Sequence, residues 1–141
     1  KDMLNMVNKE SGLAGVSGVS SDMREITTAA KQGNEKAILS LEMYEQRITK
    51  YVGAFAAEMG GVDIIVFTGG VGEHQSSTRA NVCNPLRFMG VEIDNAANDA
   101  NNGDEGIIST PNSAVKVVVI PTDEEYMIAK DTEAIIEGRE P

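Results

Sequence analysis

Two short apolar runs constrain the fold of this chain more than any other feature. VDIIVFT (62–68) and VKVVVIP (115–121) are dense in β-branched residues, and each leads straight into a tight turn and then a helical pattern. Runs this short and apolar on both faces read as strands covered by helices on either side. The first feeds GGVGEH (69–74) and the second feeds TDEE (122–125). A strand–turn–helix unit that occurs twice belongs to a layered α/β domain. Such domains hold ligands beyond the carboxyl ends of their strands.

The rest of the chain supplies helices. Residues 1–9 carry Met3, Leu4, Met6 and Val7 and read as the last turns of a helix. ESGLAGVSGVSSD (10–22) has three glycines and reads as a loop bending closely around something. Asp22 and Glu25 have the spacing of a capping box, so a helix is expected from there to Gln32, stopped by Gly33. Asn34 can cap a long amphipathic helix whose inner face is expected to hold Ala37, Ile38, Leu41, Tyr44, Ile48, Tyr51, Val52, Phe55 and Met59. Gly60-Gly61 ends it. A further helix is expected from Ser76 to the Asn84-Pro85 interruption. VEID (91–94) and GIIST (106–110) are candidate short strands around a polar, Asn-rich surface segment. Thr122 and Glu125 form a second capping box, opening a helix with Met127, Ile128, Thr132, Ile135 and Ile136 inward. The seven methionines are expected in the core.

Composition narrows the function classes. Twelve basic against 22 acidic side chains give a formal charge of −10, which disfavours sequence-independent nucleic-acid binding. The single cysteine, Cys83, cannot form an internal disulfide, and most thiols in a helical stretch of this kind are inert. No apolar run reaches the length needed to span a bilayer. His74 is the only histidine, so neither a Ser-His-Asp triad nor a multi-histidine metal cluster can be assembled. The chain opens at Lys1 inside a helical pattern, as a piece of a longer protein would.

Three places can carry chemistry. GGVGEH lets a ligand approach the backbone, and a following helix start suits phosphate. It matches neither the dinucleotide fingerprint, which needs Gly where Gln75 stands, nor the P-loop, so a plain strand-to-helix turn fits it equally well. Asp123-Glu124-Glu125 ends the second strand. Dipole compensation alone explains acids in a first turn, while the functional reading is a carboxylate beside a nucleotide-bound Mg²⁺. Ser20-Ser21-Asp22-Met23-Arg24 follows the first glycine-rich stretch. Arg24 can stack on a purine or pair with phosphate, or lie solvated at the surface.

Taken in order, NKESGLAGVSGVSSDMREI, VFTGGVGEHQSSTRANV and VVVIPTDEEYMIAKDT resemble the C-terminal part of the acetate kinase family, over nearly the whole chain. The resemblance implies a ribonuclease H-like α/β domain of the actin-like ATPase type, forming an incomplete C-terminal half of a two-domain kinase. It implies membership of the superfamily of acetate and sugar kinases, heat-shock chaperone ATPases and actin. It also implies transfer of phosphoryl between ATP and acetate, giving acetyl phosphate and ADP with Mg²⁺, in a cytoplasmic homodimer without nucleic-acid or membrane partners. Site by site, it places adenosine contacts at Asp22, Met23 and Arg24, the nucleotide loop at Gly70, Val71, Gly72, Glu73 and His74, and the metal-associated carboxylate at Glu124. His74 and Asp123 stand where the family usually has Asn. The family's acetate pocket, catalytic Asp, transition-state His and arginine pair fall upstream of the matched region, so these 141 residues alone are expected to lack kinase activity. One nucleotide-binding domain over 1–141 is implied, with 121–141 as a helix returning to the N-terminal domain and exposing an apolar stripe in its absence. The alternatives are a non-catalytic nucleotide-binding or dimerisation module of the same fold, and a propionate or butyrate kinase.

Overall fold

The computed structural model describes residues 3–139. Helix α1 (Met3–Lys9) leads into α2 (Gly12–Ser17), α3 (Met23–Lys31) and the long α4 (Glu35–Met59). Strand β1 (Ile64–Phe67) follows, then α5 (Gly69–His74), α6 (Ser76–Cys83) and a 3₁₀ turn over Asn84–Met89. Helix α7 (Asn95–Ala100), β2 (Gly106–Ile107), β3 (Lys116–Val119) and α8 (Glu124–Ile136) complete the order. The sheet runs β1-β3-β2, with β1 parallel to β3 in the register Ile65↔Val117 and β2 antiparallel to it. VEID contributes single bridges, Val91 to Val115 and Ile93 to Ser109, rather than a strand.

Alternation explains the core. Ile65 and Phe67 of β1 and Val117 and Val119 of β3 point to one face, where Val82, Cys83 and Leu86 of the α6 region pack, with Ile48 and Val52 of α4 against them. Ile64 and Val66 point the other way and are about half exposed. The expectation of strands covered on both faces therefore fails for β1. It is an edge strand, and among the described residues its second face has no covering layer. A run apolar on both sides does not by itself say that both sides are filled.

Local signals held where a side chain bonds its own backbone. Asn34 Oδ1 accepts the N–H groups of Lys36 and Ala37, opening α4, and Asp22 Oδ1 accepts that of Arg24, opening α3. Packing overruled other expectations. The glycine-rich stretch 10–22 contains α2, which lies along α4. The buried stripe of α4 is Ala37, Ser40, Glu45 and Ala56, so Ile38, Tyr51, Phe55 and Met59 face outward. The stripe is turned by α2, α3 and α6 packing on the side that holds the small residues. The last helix is capped one residue later than expected, by Asp123 on the Tyr126 N–H. Ala134 is its buried residue, while Met127, Ile128, Thr132, Ile135 and Ile136 are exposed. Of the methionines only Met23 is buried, and Met3, Met6, Met43, Met59 and Met127 are exposed.

Candidate functional site

The loop before α3 builds the first wall of a cavity. Asp22 is in extended backbone and caps the helix through Oδ1, 2.8 Å from the Arg24 nitrogen. Arg24 folds back on it, with Nε donating to Oδ1 at 3.1 Å and Nη2 to Oδ2 at 2.6 Å. The Arg24 side-chain bond is the largest of the causes that hold the Asp22 carboxyl down to about 2. A cation in a helix's first turn opposes the dipole, and this pairing cancels that cost locally. Gly70, Val71 and His74 of α5, with Gln75, Ser76 and Ser77, form the opposite wall. The two walls enclose about 740 Å³, with Asp22, Met23, Arg24, Thr27, Thr28 and Lys31 on the α3 side. GGVGEH is thus a short helix rather than a loop. It is entered through Gly69 at φ +71°, a conformation that disfavours any side chain.

The carboxyl ends of β1 and β3 lie side by side, and Glu73 ties them. Its Oε1 accepts the Gly69 N–H at 2.7 Å and the Thr122 N–H at 2.8 Å. The Thr122 hydroxyl meets the Thr68 hydroxyl at 2.5 Å and accepts the Gly69 N–H at 3.1 Å. The Thr122 backbone bond, first among these contacts, lowers the pKa of the Glu73 carboxyl. Thr122 is therefore a strand-tip clasp and not the helix cap expected of it. A second hollow of about 360 Å³ opens here, lined by Gly69, Gly70, Glu73, Thr122, Asp123, Glu124 and Glu125. Gly70 lines both spaces. Gly72 lines neither, and its carbonyl is turned to Arg79.

The donor set of the smaller hollow suits Mg²⁺ of one kind. Among the described residues no three acidic, His or Cys side chains converge to hold a metal by themselves. Asp123 Oδ1 is taken by its cap and Glu73 Oε1 by the clasp, while Glu124 makes no side-chain hydrogen bond among the described residues. One carboxylate beside an open, polar space fits a magnesium ion that keeps waters and phosphate oxygens.

Arg79 and Asn98 support the wall made by α5 and the start of α6, and no motif pointed to either. Arg79 is fully buried. It donates through Nη1 to the Gly72 and Glu73 carbonyls at 2.9 and 2.7 Å, through Nη2 to the Asn98 and Asn101 carbonyls at 2.8 and 3.0 Å, and through Nε to Asn98 Oδ1 at 2.7 Å. A basic residue in a helix with no acid at helical spacing is the only trace this leaves in the sequence. Cys83, buried one turn along, has its thiol pushed up to about 12 by desolvation and is chemically inert.

Comparison with known proteins agrees with this architecture. Residues 1–130 match the model of the acetokinase family. An acetate kinase of Porphyromonas gingivalis is 60% identical over 131 residues, which are 93% of this chain and 33% of that protein. The crystal structure of Porphyromonas gingivalis acetate kinase superposes with a TM-score of 0.87 at 58% identity, covering 94% of this chain and 33% of that one. A propionate kinase from Francisella tularensis superposes with a TM-score of 0.81 at 37% identity, covering 92% and 32%. The chain spans about one third of the length of the curated relatives it matches. Its mixed α/β layers are those of part of an actin-like ATPase domain, and the chain belongs to the acetokinase family.

Proposed function

We propose that this chain is the nucleotide-holding part of an acetate kinase, a protein that moves phosphoryl between ATP and acetate to give ADP and acetyl phosphate. The observation that carries this is one cavity lined by Asp22, Met23 and Arg24 on one wall and Gly70, Val71 and His74 on the other, sharing Gly70 with the hollow of Glu124. A purine fits between Met23 and the Arg24 guanidinium on one side and the open backbone of Gly70 and Val71 on the other. The phosphates then run across Gly70 toward Glu124. Magnesium, held there by Glu124 through water, supplies the charge that neutralises phosphate oxygens. Glu73 acts by holding the wall in place rather than by touching the nucleotide. His74 lines the same cavity and can donate to the ligand.

The acid substrate and the groups that stabilise the transferring phosphoryl belong, in this reading, to the two thirds of the relatives that this chain does not match. The likeness to a propionate kinase over the same region favours leaving the choice of acid to those parts. The active protein is then a cytoplasmic homodimer, and the exposed Met127, Ile128, Ile135 and Ile136 of α8 pack on the remainder.

Calorimetric titration of the chain with ADP, with and without Mg²⁺, tests the reading. Arg24→Ala is expected to weaken ADP binding several-fold in both conditions, about the loss of one stacking or charge-assisted contact. Glu124→Ala is expected to leave metal-free ADP binding intact and to abolish the gain from Mg²⁺. No ADP binding by the unsubstituted chain, or an Arg24→Ala variant that binds equally well, would sink it.

A further inference from the structure

We infer that Asn98 is a positioning residue for the nucleotide cavity, acting through Arg79. The inference builds on the nucleotide reading above. Asn98 stands on α7, outside both hollows, and is 1% exposed. Its amide is used at both ends. Oδ1 accepts Arg79 Nε at 2.7 Å, and Nδ2 donates to the Ser76 carbonyl at 2.9 Å, at the start of α6. Its own carbonyl accepts Arg79 Nη2. Asn98 thereby sets the plane of a guanidinium whose other arm holds the carbonyls of Gly72 and Glu73. Those two residues fix where the Glu73 carboxylate stands, and that carboxylate joins the ends of β1 and β3.

The geometry leaves little slack along this route. Among the described residues Arg79 makes no salt bridge, and burial lowers its pKa against the opposing charge of Asp99. All five of its donor contacts go to neutral oxygens from α5 and α7 or the turn after it. A guanidinium held only by neutral acceptors depends on each being in place, because a lost one leaves a buried donor unsatisfied. The same segment touches the cavity wall from behind. Gly103, at φ +100°, lies so near His74 that a Cβ there would fall 2.5 Å from the imidazole Cε1. Segment 95–104 is thus a back wall, with Asn98 as its fixed point.

Two variants of the chain and two readouts decide the matter. Asn98→Ser is too short to reach Arg79, and Asn98→Asp restores an acceptor for Nε. Hydrogen exchange should quicken at the Gly69 and Thr122 amides in Asn98→Ser, with the β3 amide of Val117 unchanged, and return toward the original rate in Asn98→Asp. Affinity for Mg²⁺–ADP should fall about tenfold in Asn98→Ser, the loss of one charge-assisted bond, and recover in Asn98→Asp. Unchanged exchange at Gly69 and Thr122 in Asn98→Ser overturns the inference, and so does equal loss of protection at Val117, which marks a merely structural role. If the unsubstituted chain fails to bind ADP, the nucleotide reading falls, while the exchange pattern still decides whether Asn98 sets the wall. Should Asn98→Ser not fold, exchange in Asn98→Asp decides alone. Protection at Gly69 and Thr122 close to the original supports the inference, and its loss there overturns it.

Discussion

Asp22 and Glu73 are carboxylates whose oxygens already have protein partners, and both have lowered pKa values for that reason. Asp22 is held mainly by the Arg24 side chain and Glu73 mainly by the Thr122 N–H. A group whose pKa is depressed by folding stabilises the folded state above its unfolded pKa, and the benefit is lost as pH falls through the folded value. For Asp22 that window runs from 3.8 down to about 2. Thermal melting should therefore drop as pH is lowered through this range as the α3 start loosens, and the strand-tip clasp should likewise loosen in acid as the Glu73 carboxylate takes up its proton. Asp22→Asn and Glu73→Gln should each flatten the drop. Melting curves from pH 5 to pH 2 in which neither variant differs from the original would show that these bonds do not hold the walls together.

At the scale of elements, α4 and α6 meet around a buried carboxylate. Glu45 accepts the Thr78 hydroxyl at 3.2 Å and Asn81 Nδ2 at 2.9 Å. Desolvation is the largest influence on it and raises its pKa. A raised value means that the neutral form favours folding, so this contribution is present at low pH and fades as pH rises through the folded value. Glu45→Gln should keep stability at neutral pH within about 1 kcal/mol, while Glu45→Ala should cost about 1–2 kcal/mol by leaving buried donors unpartnered. Chemical denaturation at pH 7 distinguishes the two. Glu45 also shows why part of the fold was hidden in the sequence. The periodicity of α4 placed Ala37, Ile48 and Val52 correctly on its packed side, but it also put Ile38, Tyr51, Phe55 and Met59 there, and these face outward. The packed side is chosen by small Ala37, Ser40 and Ala56 and by what Glu45 can bond, which are tertiary facts. Caps at Asp22 and Asn34 were legible because donor and acceptor are two or three residues apart. The tie from Glu73 to Thr122 spans 49 residues, and that from Arg79 to Asn98 spans 19, so neither has a local pattern. Gly70 and Glu124 were legible as turn residues at strand ends, and their neighbourhood followed once β1 and β3 proved parallel and adjacent.

Across the whole molecule, one face is finished and the other is not. Ile64 and Val66 of β1, Ile107 of β2 and Ile120 after β3 are exposed, as are Ile128, Ile135 and Ile136 of α8. Apolar area on this scale drives association in water. Sedimentation velocity on the chain should show a concentration-dependent rise in average mass, reduced by Val66→Lys together with Ile128→Lys. A constant monomer mass at high concentration would show that these faces do not pair. The finished side offers something of a different kind. A lone imidazole sits in the wall of the larger cavity, against Gly103, and no second histidine exists in the chain. In deuterated water its Cε1 proton therefore gives the one histidine line of that type in a proton magnetic resonance spectrum, so the molecule carries its own reporter of cavity occupancy, read without dye, label or substitution.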